Sequence, residues 1–80
     1  MKHPGKVQLT VIVNGNQTVV PEGSGISDLV HSLSLNPERV AVELNRVIVR
    51  RGDWASTTIS EGDKVEIVHF VGGGAMASAA

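Results

Sequence analysis

Apolar and polar residues alternate from Val7 to Val13, with Val7, Leu9, Val11 and Val13 on every second position. That period turns one row of side chains toward a core and the other toward solvent, so Lys6–Val13 is predicted as a half-buried strand. Asn14-Gly15 follows, a pair that tolerates the positive φ of a tight hairpin turn, and Gln17–Val20 reads as the returning antiparallel strand. The period changes after Pro21-Glu22-Gly23-Ser24-Gly25. Ile26, Leu29, Val30 and Leu33 fall at i, i+3, i+4 and i+7, one apolar stripe on a short helix. Ser24 or Ser27 is the expected cap, Asp28 suits the partial positive charge of the first turn, and Asn36-Pro37 marks the stop.

Two β-branched runs, Val40–Leu44 and Val47–Val49, are divided by Asn45-Arg46, which reads as a second tight turn. Trp54–Ile59 fits either a short turn of helix or a connector, and Ser60-Glu61-Gly62-Asp63 turns the chain into a last strand, Lys64–Phe70, with Val65 and Ile67 facing inward. The order β-β-α-β-β-connector-β, with eighteen Val plus Ile against five Leu, predicts an α+β fold: a mixed sheet of four to five strands around one helix in its concave face. No internal repeat argues for a solenoid or propeller.

Composition narrows the function. Eighty residues make one domain that hides only roughly 60% of its unfolded surface. A catalytic cleft of ordinary size, about 300 Å³ or more, is hard to fit inside it. A carrier or binding module that works with a partner is therefore favoured over a lone enzyme. Seven Lys and Arg against eight Asp and Glu give a net charge of -1, with no run of like charge to draw a nucleic acid or an anionic membrane. Cysteine is absent, which removes disulfides, thiolate metal sites and thiol nucleophiles together. No apolar segment at the amino terminus suggests secretion or a membrane span, so the cytoplasm is the expected compartment.

Few residues offer chemistry of their own. His3, His31 and His69 lie on three different elements without a second ligand at metal spacing, so no metal is expected. Serine and threonine are plentiful, but no His and acid partner defines a triad. Gly72-Gly73-Gly74 follows a strand as phosphate loops do, yet no amphipathic helix and no Lys-Ser/Thr pair comes after it. Trp54 is read as a packed anchor at the sheet edge, and Arg50-Arg51 as a small basic spot able to steer an acidic surface. The three glycines themselves leave two readings: a flexible linker, or a bare backbone made to enter a narrow partner site.

From Val40 to Gly74 the chain resembles the ubiquitin-like sulfur carrier proteins of thiamin biosynthesis. The residues that carry the likeness are Val40-Ala41-Val42-Glu43-Leu44-Asn45, Ile48-Val49, Trp54-Ala55-Ser56-Thr57-Thr58, and the run Glu61-Gly62-Asp63-Lys64-Val65-Glu66-Ile67-Val68-His69-Phe70-Val71-Gly72-Gly73-Gly74. The amino-terminal half agrees more loosely, through the Asn14-Gly15 hairpin and Asp28-Leu29-Val30. The resemblance implies the β-grasp fold and a protein cosubstrate that is not itself an enzyme. It implies that a ubiquitin-activating-like adenylyltransferase uses ATP to adenylate the carboxylate of Gly74, with Gly73 threading ahead of it. A sulfur donor such as a cysteine desulfurase would then supply a persulfide, and the resulting thiocarboxylate would give its sulfur to thiazole synthase. No bound cofactor is implied.

The expected partner contacts are His69, Phe70, Val71 and Gly72, with Phe70 open to two readings, a docking anchor or a core residue. Two other functions share the pattern. One is the small subunit of molybdopterin synthase, from which Trp54–Thr58 and the ending His69–Gly74 lean away; the other is a non-covalent β-grasp interaction module in which the glycines are only linker. The sequence departs from the family in two places. Arg50 stands where the family often has proline, and Ala75–Ala80 follow Gly74, so that its carbonyl is an amide in place of a carboxylate. Residues 1–74 are thus expected as the carrier domain. Residues 75–80, whose small and featureless composition resembles neither a strand nor a binding motif, are expected as a non-native or removable extension.

Overall fold

In the computed structural model, which describes residues 7–70 and 76–78, the two turns read from Asn-containing pairs both close hairpins. Strand β1 (Gln8–Val13) pairs antiparallel with β2 (Asn16–Pro21), and Val13 faces Asn16 across the two-residue turn. Asn14 and Gly15 take φ values of 49 and 84° there, the left-handed pair that matches the twist of a two-residue hairpin. Strand β3 (Val40–Leu44) and β4 (Val47–Val49) repeat the device, with Leu44 facing Val47 and Asn45 and Arg46 at φ 52 and 72°.

Strand β5 (Lys64–Phe70) lies in the middle. It runs parallel to β1 through Ile12–Lys64 and Val13–Val65, and antiparallel to β3 from Val40–His69 to Leu44–Val65. The order is β2-β1-β5-β3-β4, and a sixth strand, β6 (Met76–Ser78), pairs with β5 off this path. One helix, α1 (Ile26–Ser32), covers one face. Its buried Ile26, Leu29 and Val30 meet Val11, Val13, Val20, Val40, Val42, Val65 and Ile67 from the sheet, with Trp54 and Ile59 closing one side. This is the mixed sheet around a single helix that the β-grasp resemblance implies.

Three local expectations change. The helix begins at Gly25, not at a serine: Ser24 Oγ donates to the Pro21 carbonyl at 2.6 Å, while the Asp28 carboxylate accepts from the Gly25 N–H at 2.9 Å. Gly25 is held where it is because the backbone makes a bridge to Thr58, and a Cβ there would stand 3.2 Å from the Thr57 carbonyl and 3.3 Å from that of Trp54. Leu33, the fourth member of the helical stripe, sits at the C-cap and is exposed; Leu35 takes its place against the core. The undecided segment resolves as a 3₁₀ helix, Arg51–Ser56, whose Trp54 is buried and donates its indole N–H to the Val49 carbonyl at 2.9 Å. Burial of an indole is tolerated here because its one polar atom has a partner.

The tail departs furthest from expectation. Met76–Ser78 is a strand, although none of its residues is β-branched or aromatic, the types that favour strands. The reason is the neighbour: pairing with an open edge uses main-chain N–H and C=O groups and asks little of side chains.

Candidate functional site

Strand β5 is the element that carries the chain to its glycines, and side-chain alternation splits it between two faces. Val65 and Ile67 are buried beneath α1, and His69, next in that row and opposite Val40, is half-buried at the strand end. Lys64, Glu66, Val68 and Phe70 occupy the other face. Phe70 is 37% exposed, so it belongs to the outer surface and not to the core cluster. His69 and Phe70, expected together as partner contacts, therefore lie on opposite faces. Val71, Gly72, Gly73 and Gly74 lie outside the described residues.

Two asparagines fix the height of β5. Asn14 accepts from the Ile67 N–H at 2.7 Å through Oδ1 and donates to the Ile67 carbonyl at 3.1 Å through Nδ2. On the other flank the Lys64 N–H donates to Asn45 Oδ1 at 2.9 Å, and Asn45 Nδ2 donates to Asp63 Oδ1 at 3.0 Å. The remaining oxygen of Asp63 accepts from the Ser60 N–H at 2.7 Å, and Glu61 Oε1 accepts from Thr10 N–H at 3.0 Å. The run Glu61-Gly62-Asp63-Lys64, one of the stretches behind the family resemblance, thus has a structural use: it anchors the start of the strand that presents the tail.

The outer face of β3, β4 and β5 is only partly polar. Glu43 stands between Ile48 and Glu66, and Ala41 stands beside Val68. Ile48 is 70% exposed. Arg46 and Lys64 flank these residues, and together they line a shallow hollow of about 530 Å³. A second groove of about 330 Å³ sits at the end of the sheet from which the tail leaves, between Phe70, Pro37, Ile48 and the exposed Arg50 and Arg51. An apolar spot ringed by charge is the usual make-up of a surface that meets a protein. Ala41, Ile48 and Val68 carry part of the family likeness but are not among the partner contacts expected from sequence. A signal was present: Ile67-Val68 breaks the alternation of β5, and Val47-Ile48-Val49 is apolar on both faces, where a solvated outer face calls for polar residues.

Among the described residues no three of His, Cys, Asp and Glu converge as metal ligands, and no helix is long and apolar enough to cross a membrane. What the described residues offer is a partly apolar surface beside the end of β5.

Comparison with known proteins returns to the same tail. Residues 6–74 match the ThiS family. The sulfur carrier protein ThiS of Bacillus subtilis is 36% identical over 63 residues, which cover 78% of this chain and 96% of that protein. A thiazole synthase of Magnetococcus marinus is also 36% identical over 66 residues, but these cover 82% of this chain and only 20% of the synthase, so the chain spans about a fifth of that relative. The crystal structure of the thiamine biosynthesis protein ThiS from Geobacter metallireducens superimposes with a TM-score of 0.73 at 35% identity, over 82% of this chain and 100% of that one.

Proposed function

The chain belongs to the ThiS family, and on that premise we propose that it is a sulfur carrier of thiamin biosynthesis whose working group is the carboxylate of Gly74. The observation that carries this reading is where the family match stops: it runs to residue 74 and no further, four residues beyond a strand anchored from both sides.

The chemistry asks little of the fold and much of the tail. Hydrolysis of the Gly74–Ala75 amide takes up water and leaves a carboxylate on Gly74, anionic at neutral pH because such groups titrate near about 3.5. A carboxylate oxygen attacks the α-phosphorus of ATP in a partner adenylyltransferase, and pyrophosphate leaves. The outer sulfur of a persulfide, supplied by a donor such as a cysteine desulfurase, then attacks the acyl carbon and AMP leaves. A thiol cleaves the resulting acyl disulfide, and the thiocarboxylate remains on Gly74. Glycine leaves the acyl carbon unshielded, and with no cysteine in the chain no internal thiol can divert the acyl group.

Thiazole synthase is the proposed recipient. Support comes from the relatives in which a segment like this chain is part of a thiazole synthase polypeptide. Joining two proteins raises the effective concentration of each for the other, which serves a pair that must meet.

The deciding experiment uses a chain ending at Gly74, incubated with ATP, the activating enzyme and a sulfur donor. Replacement of one oxygen by sulfur adds about 16 Da by mass spectrometry through this acyl activation. An unchanged mass under conditions that load another member of the family overturns the reading.

A further inference from the structure

Four asparagines occur in the chain, and Asn14 alone precedes a glycine; Asn16 precedes Gln17, Asn36 precedes Pro37 and Asn45 precedes Arg46. The difference is chemical. The backbone nitrogen of the following residue is the internal nucleophile that can attack an asparagine side chain. Proline has no N–H to give up, and the side chain of Gln or Arg crowds the approach. Glycine leaves it open. Gly15 is exposed, and a Cβ placed on it would meet no atom within 4 Å, so water and base reach this turn.

What withholds the reaction is the hold on the side chain. Asn14 Oδ1 accepts from the Ile67 N–H at 2.7 Å, Nδ2 donates to the Ile67 carbonyl at 3.1 Å, and the Asn14 N–H donates to the Val65 carbonyl at 2.9 Å. All three bonds tie residue 14 to β5. Attack by the Gly15 nitrogen requires Cγ to swing against it, and Nδ2 departs as ammonia. The bond from Nδ2 to the Ile67 carbonyl must therefore open before the reaction can run.

We infer that Asn14-Gly15 is a site of spontaneous deamidation, closed while the side chain is clamped on Ile67, and that its product cannot rebuild the clamp. The Gly15 nitrogen gives its proton to base and bonds to Asn14 Cγ; the Cγ–Nδ2 bond breaks, Nδ2 takes up a proton and ammonia leaves. A five-membered succinimide remains, and water opens it on either side. Attack at Cγ gives aspartate, whereas attack at the main-chain carbonyl gives isoaspartate, with the backbone running through Cβ and Cγ. Aspartate is ionised at neutral pH, so an oxygen replaces the donor and stands against the Ile67 carbonyl, which repels it and loses its partner. Isoaspartate adds an atom to a two-residue turn whose geometry is matched to its strands. Either product frees Ile67 on the side where β1 has ended at Val13, while the Asn45 clamp on Lys64 is untouched. The modification thus records time spent with the Asn14 clamp open.

In the test, the full chain is held at mildly alkaline pH in buffer and in denaturing guanidinium chloride, and loss of ammonia is located by peptide mass mapping. In denaturant Asn14 is expected to react before the other three asparagines, and Gly15→Ala, whose strain at φ 84° vanishes on unfolding, is expected to slow it several-fold. In buffer the reaction should run on the order of tenfold or more slower, the scale of the hydrogen bonds that must open. Equal rates in the two solvents, another asparagine reacting first in denaturant, or an undiminished rate in Gly15→Ala overturns the site. The product is tested by amide hydrogen exchange in buffer, on Asn14→Asp and on the deamidated chain separated by its added negative charge. The Ile67 amide should exchange on the order of tenfold faster than in the unmodified chain, while the Lys64 amide, bonded to Asn45, keeps its rate. An unchanged Ile67 rate, or an equal rise at both amides as a loss of overall stability would give, overturns the clamp. No ATP or partner enters either readout, so this inference and the carrier reading fail separately.

Discussion

The side-chain amide of Asn14 pairs with the backbone of Ile67 as a strand residue would, accepting from its N–H at 2.7 Å and donating to its carbonyl at 3.1 Å. One residue thereby does two jobs: its φ of 49° turns the first hairpin, and its side chain prolongs β1 along the strand that leads to the tail.

Asn14→Gly separates those jobs, since glycine keeps the left-handed turn and removes the amide. It should destabilise the fold by about 1–3 kcal/mol, because two part-buried backbone groups lose their partner. Urea denaturation measures this, and the Ile67 amide should lose protection from exchange along with it. Full stability in Asn14→Gly would mean that water replaces the side chain without cost.

Trp54 is the single tryptophan, buried with its N–H on the Val49 carbonyl. Its fluorescence should be blue-shifted in the native state and move to the red on unfolding, so it reports the fold directly. Trp54→Phe should cost about 1–3 kcal/mol, combining the orphaned carbonyl with a smaller ring. A loss below a few tenths would show that the hydrogen bond is dispensable and the ring volume easily replaced.

Gly25→Ala tests close approach without altering any hydrogen bond. The added methyl meets the carbonyl oxygens of Thr57 and Trp54 at 3.2 and 3.3 Å, and these oxygens, which accept from the Ile26 N–H and the Thr57 N–H respectively, yield little. A loss of about 1–3 kcal/mol in thermal or urea unfolding is expected, as for other overpacked sites. An unchanged midpoint would show that the 3₁₀ segment moves aside freely.

How far the sequence speaks depends on whether a feature is local. The strands show themselves through period two, and both hairpins through Asn-led turns, because pattern and turn chemistry act over a few residues. The second use of Asn14 and Asn45, as clamps on β5, is invisible at that range: their partners are 53 and 19 positions away. The helix start failed for a similar reason, since Gly25 is selected by the carbonyls of residues 54 and 57 and not by capping preference. At the site, His69 and Phe70 are adjacent in sequence, which suggests one shared contact, but alternation sends them to opposite faces. The strand at Met76–Ser78 had no sequence signal, because an open edge supplies what the side chains lack.

The outer face of the sheet yields the sharpest prediction about partners. Ile48 and Phe70 are exposed, and they line one groove at the end from which the tail leaves. A charged residue at either place should leave stability within about 0.5 kcal/mol, since neither belongs to the core. It should also weaken binding of the Gly74-ended chain to its activating enzyme by about tenfold or more, the effect of placing an unpaired charge in an apolar contact. Ile48→Glu and Phe70→Glu, each measured by calorimetric titration and by urea unfolding, separate the outcomes. Weaker binding with a native midpoint places the partner on this face. A native midpoint with unchanged affinity removes the face from the interface and leaves recognition to the tail alone. A collapsed midpoint in Phe70→Glu would instead make that ring part of the packing that holds the end of β5.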